Sequence, residues 1–177
     1  MMKNNNNNGF TLIEVLITIL IVSIFVSGLT ILTITIKEYM ARNWIIRTID
    51  QYSNDSLELL SHKLINCDSL LIRKQTEFFD KIFIYSTDFN TQDFKREIVQ
   101  CNFNQGIKIN NELILNTDIQ KIISKNIIDN VKFDAFNAIL ISNNEIKLLL
   151  TIEYYRKDNL IYRNSYISKT YLKNIGL

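Results

Sequence analysis

The pattern of apolar and polar positions divides the chain into three stretches. From Phe10 to Ile36 it is almost unbroken in Ile, Leu, Val and small hydroxyl residues, and Glu14 is the only charged residue in the run. As a helix this run is about 40 Å long, enough to cross a hydrocarbon layer about 30 Å thick. In the second stretch Ile46, Ile49, Ser53, Leu57, Leu60, Leu64, Cys67 and Leu71 recur at three- and four-residue spacing. Lys37, Arg42, Arg47, Asp50, Asp55, Glu58 and Lys63 fall mostly off that stripe, and Asp50, Asp55 and Glu58 read as a solvated helix face. An amphipathic stripe uninterrupted by proline predicts one continuous helix from about Phe10 to about Ile72. The third stretch changes period. Lys81–Ser86, Phe94–Phe103, Ile107–Ile109, Glu112–Leu115, Ile127–Phe136 and Ala138–Ser142 read as short strands. Gln105-Gly106, Asn143-Asn144 and Lys157-Asp158-Asn159 are turn signals between runs. Glu145–Arg156 and Leu160–Leu172 then read as a long antiparallel hairpin, with Ile146, Leu148, Leu150, Ile152 and Tyr154 on one face. Gln120–Ser124 fits a helical turn or a strand equally.

The expected class is α+β: a long N-terminal helix packed by its stripe on an antiparallel sheet. The expected divisions are 1–9 as a polar leader, 10–36 as a membrane segment, 37–72 as the amphipathic continuation and 73–177 as a β-rich head. The chain has 177 residues, no proline, four glycines and a formal net charge of +2. That charge sets no strong expectation of nucleic acid. Asn, Ile and Lys are abundant, which reflects base composition more than a physical demand.

Glu14 changes the picture most. A carboxylate inside a membrane-length helix costs roughly 2.5–3.5 kcal/mol on insertion scales. The apolar run is also too long for the roughly 7–15-residue core of a cleaved secretory signal, and no small-residue cleavage site follows it. The run Gly9-Phe10-Thr11-Leu12-Ile13-Glu14-Val15-Leu16 behind a short polar leader resembles the cleavage and methylation motif of type IV pilins and pseudopilins. The resemblance covers about the first 30 residues. It implies a pilin fold, cutting after Gly9 by a prepilin peptidase on the cytoplasmic side, and N-methylation of Phe10. It implies further that the helix stays on the protein and assembles with other pilin subunits through a membrane machinery. The new amine of Phe10 would lie one turn from Glu14, which could pair with it in its own chain or a neighbour and fix register. By charge bias alone (Lys3 against Lys37, Arg42 and Arg47) the orientation is ambiguous or reversed. The resemblance implies a leader on the inside, an extracytoplasmic head and a final location in a surface filament. Many family members carry a proline midway along the apolar run; this chain has Ile31 there, with Gly28 as the only weak helix point. The strand-rich head, with Ile127–Phe133 before the closing hairpin, is similar to minor pseudopilins of the J and W types and to the F-type competence subunit. A major shaft pilin is the alternative within the family.

Outside this motif the chemistry is sparse. Cys67 on the stripe and Cys101 in a strand permit one disulfide, or act as two buried thiols. His62 is the only histidine, and no H-E-x-x-H, C-x-x-C, G-x-S-x-G or EF-hand pattern occurs, so no metal, cofactor or catalytic constellation is expected. An anchored enzyme is therefore the weaker alternative. Trp44 fits an interfacial anchor or a subunit contact equally. The C-terminal hairpin interleaves Arg156, Lys157 and Arg163 with tyrosines, a combination that can bind single-stranded DNA. Basic residues on an edge strand also prevent unwanted strand pairing.

Overall fold

The structure, a computed structural model, describes residues 11–88, 91–103, 105–114, 129–142 and 144–173. Gly9, Phe10 and the segment Gln120–Ser124 lie outside the described residues. The chain forms two compact units, divided between Trp44 and Ile45. One helix, α1 (Leu12–Ile65), contributes its first part to one unit and its second part to the other.

In the second unit, Ile45, Ile49, Tyr52, Ser53, Ser56, Leu57, Leu60 and Leu64 form the buried face of α1. The helix ends at Ile65, about two turns earlier than its sequence pattern predicts. Cys67 donates its N–H to Leu64 O (3.4 Å), a tightened last turn, and Asp68 N–H then bonds Tyr85 O (2.8 Å). Strand pairing replaces helical continuation from there, giving β1 (Ser69–Lys74). Cys67 therefore lies past the helix, and Leu71 sits exposed on β1 instead of on the stripe. β1 reads as helix in sequence because its apolar residues continue the three- and four-residue spacing and no glycine or proline stops it.

The head holds two antiparallel sheets. One has five strands in sequential order, β1, β2 (Asp80–Thr87), β3 (Phe94–Asn102), β4 (Gly106–Ile109) and β5 (Glu112–Leu113). The other has three, β6 (Asp129–Ser142), β7 (Glu145–Arg156) and β8 (Asn159–Tyr171). The two runs expected around Asn137 are one strand, whose register shifts between Phe133 and Ala135 mark a bulge. The hairpin β7–β8 turns at Lys157 and Asp158, both with positive φ (50° and 63°), a two-residue turn whose twist suits the strands.

Alternation then sets the core. Ile146, Leu148, Leu150, Ile152 and Tyr154 of β7 are all fully buried, as their period-two pattern predicts. They share one cluster with Ile82, Ile84, Val99 and Ile107 of the first sheet, Phe133 and Phe136 of β6, and the face of α1. The far edge of β6 is closed against the first sheet's connections. Phe133 N–H bonds Phe103 O (3.0 Å), Phe136 N–H bonds Phe78 O (2.9 Å), and Ala138 N–H bonds the buried Asp80 Oδ2 (2.9 Å).

Gly106 shows how closely α1 and the sheets approach. Its φ is +80°, and a Cβ there would lie 2.7 Å from Tyr52 Oη and 2.9 Å from Phe133 Cζ. The Tyr52 hydroxyl accepts the N–H of Ile107 (3.0 Å), and burial pushes its pKa up to about 12. Asp50 does not lie on a solvated face. It accepts hydrogen bonds from the hydroxyls of Tyr162 (2.6 Å) and Tyr166 on β8. Ser61 and Ser168 continue this polar seam at 2.7 Å.

Candidate functional site

The start of α1 is a reciprocal cap. Thr11 precedes the first helical residue, and its carbonyl accepts the N–H of Val15 (3.2 Å). The Thr11 backbone N–H and hydroxyl each donate to Glu14 Oε2 at 2.9 Å, and Glu14 N–H returns to Thr11 Oγ1 at 3.4 Å. This is a capping box, Thr-x-x-Glu, in which each side chain accepts the other residue's backbone N–H, so two orphan donors at the helix start are satisfied. The sequence carries this signature, Thr11 and Glu14 three residues apart before an apolar run, but the charge of Glu14 in a membrane-length segment draws attention away from its capping role. The cap fixes the carboxylate at the positive end of the helix, over the backbone of the residue that follows Phe10. Both side-chain bonds fall on Oε2.

Beyond the cap, every residue from Thr11 to Met40 is exposed. The span has a mean hydropathy of 2.8 over its best window, none of it buried within the chain. Apolar surface on this scale does not persist in water and marks a membrane or helix-bundle contact. The hydroxyls in the run are adapted to such surroundings. Thr18, Ser23, Ser27, Thr30, Thr33 and Thr35 each donate to the carbonyl four residues earlier, at 2.7 to 2.9 Å. They present methyl, methylene and carbon surface outward and need no partner in lipid. The helix runs unbroken through Gly28 and Ile31, and a Cβ at Gly28 would meet nothing within 4 Å. Glu14 is thus the one acid in a run otherwise self-sufficient in hydrogen bonds.

The other candidates are placed as follows. Cys67 and Cys101 are both free and buried. Burial raises the pKa of each thiol, which disfavours the nucleophilic thiolate. Arg156 lies 3.8 Å from Asp129. Arg163 lies 2.8 Å from Asp134 and 3.4 Å from Glu153. Lys157, exposed at the turn, forms no ion pair among the described residues. Acids from β6 and β7 therefore offset the charge that the hairpin displays in sequence.

His62 borders an open cleft of about 810 Å³ at the C-terminal end of α1, with Lys63, Asp68, Lys95, Glu97 and Lys173. Its polar groups serve one another: Lys63 Nζ lies 2.7 Å and Lys95 Nζ 3.2 Å from the Glu97 carboxylate, and Thr87 donates to Asp68 (2.8 Å). Burial would raise the Glu97 pKa, but the hydrogen bonds from the two lysines outweigh it and hold it below the usual carboxylate value. Among the described residues no group of three or more His, Cys, Asp or Glu could hold a metal ion.

Comparison with known proteins locates the same segment. A family model described as the prokaryotic N-terminal methylation motif matches residues 4–30. No curated protein and no solved structure matches the chain.

Proposed function

We propose that this chain, by its N-terminal motif a type IV pilin-like or pseudopilin subunit, is a minor subunit of its filament, cut after Gly9 and methylated on Phe10. The motif points to a structural subunit, not an enzyme, and implies processing by prepilin peptidase and contact with other pilin subunits. The apolar helix anchors the chain in the membrane before assembly, with the head on the extracytoplasmic side. It is then withdrawn into a bundle of like helices. The strand-rich head, with two sheets and a closing hairpin, favours a capping or tip position over a shaft position.

The observation that carries this reading is the capped carboxylate at the mouth of a wholly exposed apolar helix. The cap holds Glu14 in position before assembly. Its charge then meets an amine, either that of Phe10 in the same chain or that of an incoming neighbour. Pairing removes the penalty of an unpaired acid in the bundle and sets axial register.

Three substitutions separate cap from charge. Glu14→Gln keeps the capping box, since glutamine serves at the same position, but removes the charge. Thr11→Ala keeps the charge and loses the cap's hydroxyl. Glu14→Ala loses both. Incorporation into sheared filaments should fall strongly for Glu14→Gln and Glu14→Ala and only mildly for Thr11→Ala. If Glu14→Gln enters filaments as well as wild type, charge pairing is not the mechanism. Mass analysis of the mature N-terminus checks processing: wild type should begin at a methylated Phe10, and Gly9→Val should retain the leader. An intact Met1 on the wild-type protein would overturn the processing claim.

A further inference from the structure

The five-stranded sheet has a second face outside the main core cluster, with Phe83 buried beneath its cations, and its chemistry is one-sided. On β2 the inward residues are Asp80, Ile82 and Ile84, and on β3 they are Glu97, Val99 and Cys101, all buried. The opposite face carries Arg73, Lys81, Arg96 and Lys108, with Phe83, Tyr85 and Phe94 among them. The carboxylates of these two strands, Asp80 and Glu97, belong to the buried face, as does the Lys95–Glu97 ion pair. Asp88 and Asp93 lie in the β2–β3 connection. Among the described residues no carboxylate forms an ion pair with Arg73, Lys81 or Arg96.

Register aligns these cations. Arg73 stands opposite Lys81, Lys81 opposite Gln100 and Gln100 opposite Lys108. At about 4.8 Å between strands, this row runs about 14 Å across the sheet. Like charges directly opposite one another destabilise a sheet, so Arg73 and Lys81 are a local cost to folding. The ring of Phe83 partly offsets it. The charged groups of Arg73, Lys81 and Arg96 lie 5.6, 5.6 and 4.9 Å from its centroid. Beside them Tyr85 stacks on Phe94 (5.6 Å between centroids, 28° between planes), Arg96 lies 6.0 Å from the Tyr85 ring, and Phe94 is 67% exposed.

We propose that this face is a binding surface for single-stranded nucleic acid, with the row Arg73–Lys81–Lys108 following phosphates and the Phe94–Tyr85 stack, flanked by Arg96, receiving a base. Charge complementarity calls for a polyanion, and the exposed aromatic favours nucleic acid. Every base offers a flat π surface to Phe94, whereas an acidic protein or a lipid headgroup satisfies the cations and leaves the ring unused. The inference does not depend on how the apolar helix assembles.

The test uses the full chain in a neutral detergent and a fluorescent oligothymidylate, read by anisotropy over a range of salt. Wild type should bind, with affinity falling steeply as salt rises. The neutral double variant Arg73→Gln/Arg96→Gln should bind at least tenfold more weakly with a shallower salt slope, each lost phosphate contact lowering the slope by about one. Phe94→Ala, at an exposed position that leaves folding intact, should weaken binding about tenfold with the salt slope nearly unchanged. Arg163→Gln, on the other sheet, should bind as wild type does. Unaltered binding in the double variant overturns the site. Equal loss in Arg163→Gln would show diffuse charge attraction and also overturns it. Binding of anionic vesicles or heparin as tight as that of the oligonucleotide, with Phe94→Ala indistinguishable from wild type, assigns the face to another polyanion and overturns the nucleic-acid reading.

Discussion

The apolar half of α1 and the head satisfy their groups in opposite ways. In the first, the side-chain hydrogen bonds of Glu14, Thr18, Ser23, Ser27, Thr30, Thr33 and Thr35 reach no further than four residues along the helix. Every described residue of it from Thr11 to Met40 is exposed. In the head, bonds join positions far apart in sequence: Tyr52 to Ile107, Asp80 to Ala138, Tyr162 to Asp50. One region pairs its side-chain hydroxyls within a turn and leaves its apolar surface exposed; the other, the closed one, pairs groups distant in sequence around a shared buried core. A region of the first kind is built to be covered from outside; on the proposed function, one of the second kind keeps its form while that covering changes from lipid to protein.

The largest effect that tests this contrast is a hole in the closed region. Phe133 is fully buried and touches the ring of Tyr52 edge-on, with centroids 5.8 Å apart. Phe133→Ala should cost the head about 3–5 kcal/mol, read as a fall in its unfolding midpoint in detergent. Membrane insertion of the same variant should be unchanged. A loss below about 1 kcal/mol would mean that the head's core is not packed as described.

The glycines give a second and sharper division, because one substitution has opposite signs in the two regions. Gly106→Ala places a Cβ against Tyr52 and Phe133 at a positive φ, and should destabilise the head by roughly 1–3 kcal/mol. Gly28→Ala meets open space in a helix, where alanine is favoured by about 0.8–1.0 kcal/mol. Slower amide hydrogen exchange around residue 28 in micelles, with the head's midpoint unmoved, is the expected result. A matching loss in both variants would remove the distinction between the two regions.

What could be read in the sequence follows the same divide. Local pattern suffices where structure is local: the apolar run, the capping signature of Thr11 and Glu14, and the β7–β8 hairpin with its turn at Lys157 and Asp158. Where structure depends on distant pairing, pattern misleads. Cys67 and Leu71 continue the helical spacing, and only pairing with β2 turns Ser69–Lys74 into a strand. Asp50 looks solvated until Tyr162 and Tyr166 arrive from more than a hundred residues away. The basic residues of the hairpin look concentrated because they are close in sequence, yet Asp129, Asp134 and Glu153 meet them across strands. Conversely, Arg73, Lys81, Arg96 and Lys108 look scattered, and sheet register assembles them on one face.

The smallest expected effect is one of pH, and it belongs to the head alone. Glu97 is held between Lys63 and Lys95, and its pKa in the folded chain lies below its ordinary value of 4.5. A carboxylate whose folded pKa is depressed adds stability that is fully present above the unfolded pKa and is lost as pH falls through the folded one. The head should therefore lose this contribution from about pH 4.5 downward. The lysines are partly exposed, so screening keeps the effect small, within the range of about 0–1 kcal/mol typical of such pairs. Glu97→Gln isolates it from the other carboxylates. The gap between wild-type and variant unfolding midpoints should be constant from neutral pH to about 5, then close as pH falls further. Added salt should narrow the gap at neutral pH. If the two curves stay parallel to the lowest pH at which the head remains folded, the lysine pair does not stabilise the charged form of Glu97. The cleft at the end of α1 would then be a solvated surface instead of part of the closed region.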